Sequence, residues 1–152
     1  MTHTELNKRA ERWLMNKLSC NFALIELQTT YTQERVDVIG WKGPTSYVIE
    51  SKATRTDFLQ DKKKYHRRYP SYGMGKYRYF ITTPGIIKVE DLKSVLYRSW
   101  GLLYCYKKQI CIIKEAEVFP KINEAGEKGL LVSALRRAYL NKNLSCIFNK
   151  ER

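Results

Sequence analysis

Asp37, Glu50 and Lys52 are the residues of this chain whose types and spacing could do chemistry. Asp37 lies within ERVDVIGW (34–41), and Glu50 and Lys52 close the apolar run YVIESK (47–52). Between the two runs, KGPTS supplies Gly43 and Pro44 for a tight turn. A hairpin centred there sets Trp41 opposite Ser46, Ile39 opposite Val48 and Asp37 opposite Glu50. Side chains alternate along a strand, so Lys52 shares the face of Glu50. Directly opposed residues have Cβ atoms roughly 5 Å apart, and two carboxylates there repel. A divalent cation between them removes the repulsion, and an all-oxygen donor set suits Mg²⁺ or Mn²⁺. Lys52 beside such an ion can orient or deprotonate a water, or stabilise charge on a phosphoryl oxygen. The plain alternative is a solvated sheet face with a Glu50–Lys52 ion pair. E-x-K alone is common by chance. The specificity comes from the preceding Asp, the turn-length gap, the apolar strand and the basic segment that follows.

Positioning these residues takes a sheet with helices around it. Residues 4–18 read as a helix: Thr2 and Glu5 form a capping box, and Leu6, Ala10, Trp13, Leu14 and Leu18 recur at helical spacing. Strands follow at 22–28 (FALIELQ), 34–41 and 47–52. Thr54 and Asp57 cap a second helix, 54–69, whose Phe58, Tyr65 and Tyr69 are expected against the sheet. A fourth strand spans 77–84, a helical turn 89–96, a hairpin 101–115 and a last helix 127–142. That helix is expected to present Leu130, Leu131, Ala134, Leu135 and Ala138 on one face. Three successive strands make a meander. A helix between the third and fourth strands sets those two parallel. The class is α/β with a mixed sheet, in a single domain spanning 1–152.

Lys and Arg number 28 against 15 Asp and Glu, a formal net charge of +13. That excess favours a polyanionic partner, with nucleic acid ahead of an anionic membrane surface. Aromatic residues reach 12%, with 11 tyrosines, several among the basic residues. Tyr can stack on bases, although most are expected in packing roles. No stretch has the length of a membrane helix and the N-terminus lacks an apolar signal core, so a cytoplasmic location is expected. Cys20, Cys105, Cys111 and Cys146 form no CxxC pair, which argues against zinc. Cys105 and Cys111 could face each other across a hairpin centred near Lys108, as free apolar thiols in a reducing compartment.

The segment TRTDFLQDKKKYHRRYPSYGMGKYR (54–78) carries Arg55, Lys62, Lys63, Lys64, Arg67, Arg68, Lys76 and Arg78. Like charges four apart weaken a helix, and phosphate is the natural counter-charge. A merely solvated helix face is the competing reading. Asp61 is expected to pair with a nearby Lys or Arg, and YPSYGMGKY to be a flexible loop near the active face. His3 and His66 have no partner spacing for a metal or a triad, and His66 is expected in solvent.

RVDVIG…YVIESKATRTDFLQDKK resembles the PD-(D/E)xK nuclease superfamily. Within it, the chain is similar to small phage and bacterial proteins and to DNA-repair endonucleases of the MmcB type. The resemblance spans roughly residues 5–106 and is most specific over 34–63. It implies a restriction-endonuclease-like core of helix, three-strand meander, helix and strand. To this the chain adds a C-terminal hairpin and helix, and the C-terminal helix lies outside the resemblance. Asp37 and Glu50 are implied as metal ligands, with the Ser51 carbonyl as a further candidate, and Lys52 as the catalytic lysine. Val36 stands where the superfamily's name has proline. A further acid comes from the first helix or the first strand in such proteins, so Glu11 and Glu26 are both candidates. The implied activity is Mg²⁺- or Mn²⁺-dependent hydrolysis of DNA phosphodiesters, as an endonuclease in repair, recombination or phage DNA processing. The basic residues Arg55, Lys62, Lys63, Lys64, Arg67, Arg68 and Lys76 would then contact DNA, in a monomer, a homodimer or a larger complex. The rival is a non-catalytic nucleic-acid binder or assembly subunit retaining the fold.

Overall fold

A computed structural model describes residues 1–144. Helix α1 (His3–Asn16) opens on the capping box: the Thr2 side chain accepts from the Glu5 amide, and Glu5 reaches back to the Thr2 amide. Six strands form one sheet in chain order: β1 (Phe22–Ile25), β2 (Val38–Lys42), β3 (Thr45–Ser51), β4 (Tyr77–Thr82), β5 (Gly101–Cys105) and β6 (Ile110–Lys114). The first three are antiparallel neighbours, β3–β4 and β4–β5 are parallel, and β5–β6 is a closing hairpin. Helices α2 (Arg55–Asp61) and α3 (Tyr65–Arg68) carry the chain from β3 to β4, and α4 (Glu124–Leu140) follows the sheet. The mixed α/β class and the meander are as the sequence indicates. Among the described residues no helix is long and apolar enough to cross a membrane.

Alternation along the strands divides the core. Val38, Ile49, Tyr79, Ile81, Leu103 and Cys105 pack beneath α1 against Leu6, Ala10, Trp13 and Leu14. On the other face, Phe58 of α2 joins Phe80, Tyr97, Trp100 and Leu102. Ile39, Trp41 and Val48 meet Met74 and Leu130 of α4. Val48, Glu50 and Lys52 therefore point toward the α2 side of the sheet, and Ile49 and Ser51 toward α1.

Several boundaries differ from the expected ones, each for a local reason. Strand β1 stops at Ile25 because Glu26 turns into the left-handed region (φ 49°). Strand β2 begins at Val38, since Glu34 is drawn instead to the Met74 amide at 2.6 Å. The helix expected over 54–69 breaks at Lys64, which is extended with ψ 132°. Tyr65 and Tyr69 consequently stand in solvent, and Phe58 alone of the three packs on the sheet. In the β5–β6 hairpin Cys105 pairs with Ile110 and Cys111 with Tyr104, so the two thiols are not opposed and both are free. Cys146 lies outside the described residues. On α4 Leu130 is fully buried, whereas Leu135 is exposed.

The glycine loop before β4 is pinned rather than loose. The Glu127 carboxylate accepts from the Gly75 amide and from the Ser46 hydroxyl, each at 2.8 Å. The Arg78 guanidinium donates to the carbonyls of Pro70, Gly73 and Gly75 at 2.9–3.0 Å and lies over the Phe119 ring. Gly75 has φ +95°, and a Cβ there would meet the Val48 methyl at 2.7 Å. Gly75→Ala is therefore expected to cost about 1–3 kcal/mol, read from urea unfolding.

Candidate metal centre

The β2–β3 register is the one expected from the turn: Trp41 faces Ser46, Ile39 faces Val48, and Asp37 stands just ahead of the Val38–Ile49 pair. The Ser51 amide donates to Asp37 Oδ2 at 2.8 Å. Asp37 and Glu50 lie close enough for each to act on the other's charge. Burial, and then the Glu50 charge, push Asp37 up to about 7. Glu50 is 1% exposed. Burial is the strongest influence on it and opposes its charge, but Arg67, Lys64 and Lys52 together outweigh burial and hold it below the usual carboxylate range. Thus the two acids of one site sit on opposite sides of their ordinary values.

Lys52 does not pair with Glu50. Its ammonium lies 2.8 Å from Asp61 Oδ1, with both groups buried. Asp61 also accepts from Arg67 Nε at 2.6 Å and Nη2 at 3.2 Å, and from the Tyr97 hydroxyl at 3.1 Å. Burial works against the Asp61 charge most strongly, yet Arg67 and Lys52 hold it far below the usual carboxylate range. Arg67 Nη2 is also 3.2 Å from Glu50 Oε1, and Lys64 Nζ is 3.5 Å from Glu50 Oε2. Despite that ion pair, Glu50 Oε1 is buried without a hydrogen bond.

On the α1 side, His3 Nε2 lies 3.1 Å from Asp37 Oδ1, and His3 Nδ1 is 3.8 Å from Glu26 Oε1. Asn7, one turn along α1, accepts from the Ser51 hydroxyl at 2.6 Å and approaches the His3 ring at 3.5 Å. Ligand atoms of His3, Glu26 and Asp37 all lie within 4.8 Å of one another. Of the two further acids, the fold therefore brings Glu26 to Asp37. Glu11, farther along α1, is outside the cluster. The left-handed turn at Glu26 is what aims that carboxylate back toward β2. His3 was not legible as a partner of Asp37. Its only sequence signal is the i, i+4 spacing with Asn7 at the start of a capped helix.

His3, Glu26 and Asp37 could together hold a divalent cation. Asp37 and Glu26 are hard oxygen donors and His3 adds a nitrogen that Mn²⁺ accepts more readily than Mg²⁺, whereas Glu50 Oε1 is turned to Arg67. The Ser51 backbone lies beside Asp37, as its amide contact shows.

The basic segment divides into internal and external charges. Lys62, Lys63 and Arg68 are exposed. Lys64 is half-buried over Glu50. Arg55 is exposed but bidentate to Asp91, and Lys76 reaches the Pro120 carbonyl at 3.5 Å. Arg67, expected to meet phosphate at the surface, is fully buried and stacked over Trp100 at 4.3 Å. Three buried carboxylates, Glu34, Glu50 and Asp61, surround it and require its charge. His66 is not solvated either: Nε2 lies 3.4 Å from Glu34 Oε2. Burial, reinforced by Arg67, pushes His66 down to about 4. Burial likewise pushes Glu34 up to about 7.

No family model and no curated protein matches this chain. Among solved structures, the chain is similar to SPO1766, a protein of unknown function from Silicibacter pomeroyi, at 18% identity and a TM-score of 0.63. The likeness covers 100% of this chain and 99% of that one, and it establishes a shared fold.

Arg67→Leu leaves Asp61 and Glu50 buried without their main counter-charge, and is expected to destabilise the fold by about 3–5 kcal/mol in denaturant titrations at pH 7. His66 gives a pH test. Its folded value, about 4, lies below the ordinary 6.5. Its contribution is therefore present above pH 6.5 and is lost as the pH falls through 4. Wild type is expected to lose about 2–3 kcal/mol relative to His66→Gln across that window, read from unfolding curves at several pH values.

Proposed function

We propose that this chain is a metal-dependent nuclease that hydrolyses DNA phosphodiester bonds. The observation that carries this reading is the gathering of His3 and Glu26 on Asp37, with ligand atoms within 4.8 Å of one another, at the end of β2 that neighbours the buried Glu50. A divalent cation among these groups would relieve the effect of the Glu50 charge on Asp37. Asp37, Glu50 and Glu26 would hold Mg²⁺ or Mn²⁺, with His3 beside them and Ser51 at the same end of β3. A bound ion would supply an activated water and neutralise charge on the phosphate.

The chain's own residues prepare that chemistry. Asn7 and the Ser51 amide fix the orientation of His3 and Asp37. Asp61 holds the Lys52 ammonium at a defined point on the Glu50 face of β3, from which it would meet developing negative charge. Lys62, Lys63 and Arg68 offer exposed cations to the DNA backbone without reading sequence.

One observation favours a second reading. Glu50 and Lys52 are both buried, and Lys64 and Arg67 already supply Glu50 with positive charge. That closed arrangement suits a nucleic-acid-binding or complex-assembly protein that keeps the fold without catalysis.

Labelled DNA substrates of several structures, incubated with Mg²⁺, Mn²⁺ or EDTA, separate the two. In the nuclease reading cleavage requires the metal, Asp37→Asn and Glu50→Gln abolish it, and Lys52→Met lowers the single-turnover rate by orders of magnitude. DNA affinity of Lys52→Met is expected to stay within a few-fold, since one lysine carries a small share of backbone attraction. Metal-independent binding without cleavage in any substrate would select the second reading.

A further inference from the structure

Helix α3 and the turn of 3₁₀ helix after it (Pro70–Tyr72) bring three tyrosines together on the surface. Tyr65, Tyr69 and Tyr72 are 60%, 50% and 58% exposed. The Tyr65 ring centroid lies 4.7 Å from Tyr69 and 5.6 Å from Tyr72. This cluster takes no part in the core. Lys63 and Arg68 stand exposed on the same segment, and Lys64 extends from it to within 3.5 Å of Glu50. Between Tyr65 and Tyr72 opens a cavity of about 350 Å³, walled by the polar side chains of Thr32, Gln33 and Asn123. At its edge, the buried His66 Nε2 lies 3.4 Å from the Glu34 carboxylate, which also lines the cavity.

We propose that this cluster is a stacking site for an unpaired nucleobase, and that the chain's preferred nucleic acid is single-stranded at this point. The inference rests on the nucleic-acid reading above and adds the strandedness of the substrate. Three observations converge on it. Exposed tyrosine rings offer a π surface that any base can stack on, whatever its identity. The neighbouring Lys63 and Arg68 suit the phosphates on either side of that base. The cavity offers the Thr32 hydroxyl and the exposed Gln33 amide to the base edge, and its volume exceeds that of one base. A duplex keeps its base faces inside its own stack and can offer this cluster only phosphate and sugar. A base held at Tyr65 places the next phosphates along the segment that leads through Lys64 to Glu50.

The test is a binding titration in EDTA, so that no cleavage enters. Fluorescence anisotropy would compare a 5′-labelled single strand, the same strand in duplex, and the strand with abasic sites. The single strand is expected to bind more tightly than the duplex. Tyr65→Ala with Tyr72→Ala is expected to weaken single-strand binding at least tenfold, with the salt slope unchanged because the phosphate contacts remain. Tyr65→Phe with Tyr72→Phe should restore binding, since Phe keeps the ring. Abasic sites should weaken the parent but leave the double Ala variant little affected. Both residues are exposed, so an unchanged unfolding curve confirms that the variants fold. Equal loss on duplex and single strand, an abasic strand bound as well as the normal one, or a double Ala variant binding like the parent would each overturn the proposal. Ring-dependent single-strand binding without metal-dependent cleavage of any substrate would support this site while refuting the nuclease.

Discussion

The buried Arg67 guanidinium is the interaction on which the rest of the site depends. It makes a two-bond contact with Asp61, an ion pair with Glu50, and a longer approach to Glu34, all away from solvent. Taking four such groups out of water costs several kcal/mol per ion, and their mutual attraction returns this only when the geometry is good. A cluster of this kind is a poor way to gain stability and an effective way to fix positions. Arg67 can serve carboxylates on α2, β3 and the loop before β2 only if the chain between Asp61 and Arg67 turns sharply. That is a physical reason for a break at Lys64 where propensity alone would continue the helix.

The break also decides what the segment shows to solvent. One continuous helix would have laid Tyr65 and Tyr69 on the sheet behind Phe58. With Arg67 turned inward, α3 instead faces Tyr65, Arg68 and Tyr69 outward. Basic residues that look equivalent in the sequence thus separate into two populations. Arg67 and Arg78 are internal braces, one for carboxylates and one for the carbonyls of the glycine loop. Lys62, Lys63 and Arg68 remain for an outside partner.

What the sequence made legible, and what it did not, follows the range of the forces involved. The capping box of α1 and the Gly43–Pro44 hairpin are set by residues within a few positions of each other, and both were readable with their register. The Asp37–Glu50 approach followed from that register. The parallel β3–β4 pair followed from the helical connection between them. The fate of Arg67, His66 and His3 was not readable, because each is decided by partners distant in the chain. A histidine near the N-terminus carries no sign that β1 will end in a left-handed Glu26 and bring that carboxylate to it. A run of lysines and arginines carries no sign that one member will be claimed by three buried acids.

The same electrostatics give the two central carboxyl groups different work. Glu50 lies on the Arg67 and Lys64 side of β3, where surrounding positive charge keeps it ionised despite complete burial. Asp37 lies at the strand end, where burial and the Glu50 charge outweigh His3 and leave it half-protonated near neutral pH. Only Asp37 is therefore free to change its charge at little cost, and it is the one that touches His3 and the Ser51 amide. Glu50, Lys52 and Asp61 thus form a buried charged floor behind the partly buried Asp37. The register that the Gly43–Pro44 turn imposes puts the two acids side by side, and the division follows from their different neighbours: His3 and the Ser51 amide at Asp37, Arg67 and Lys64 at Glu50.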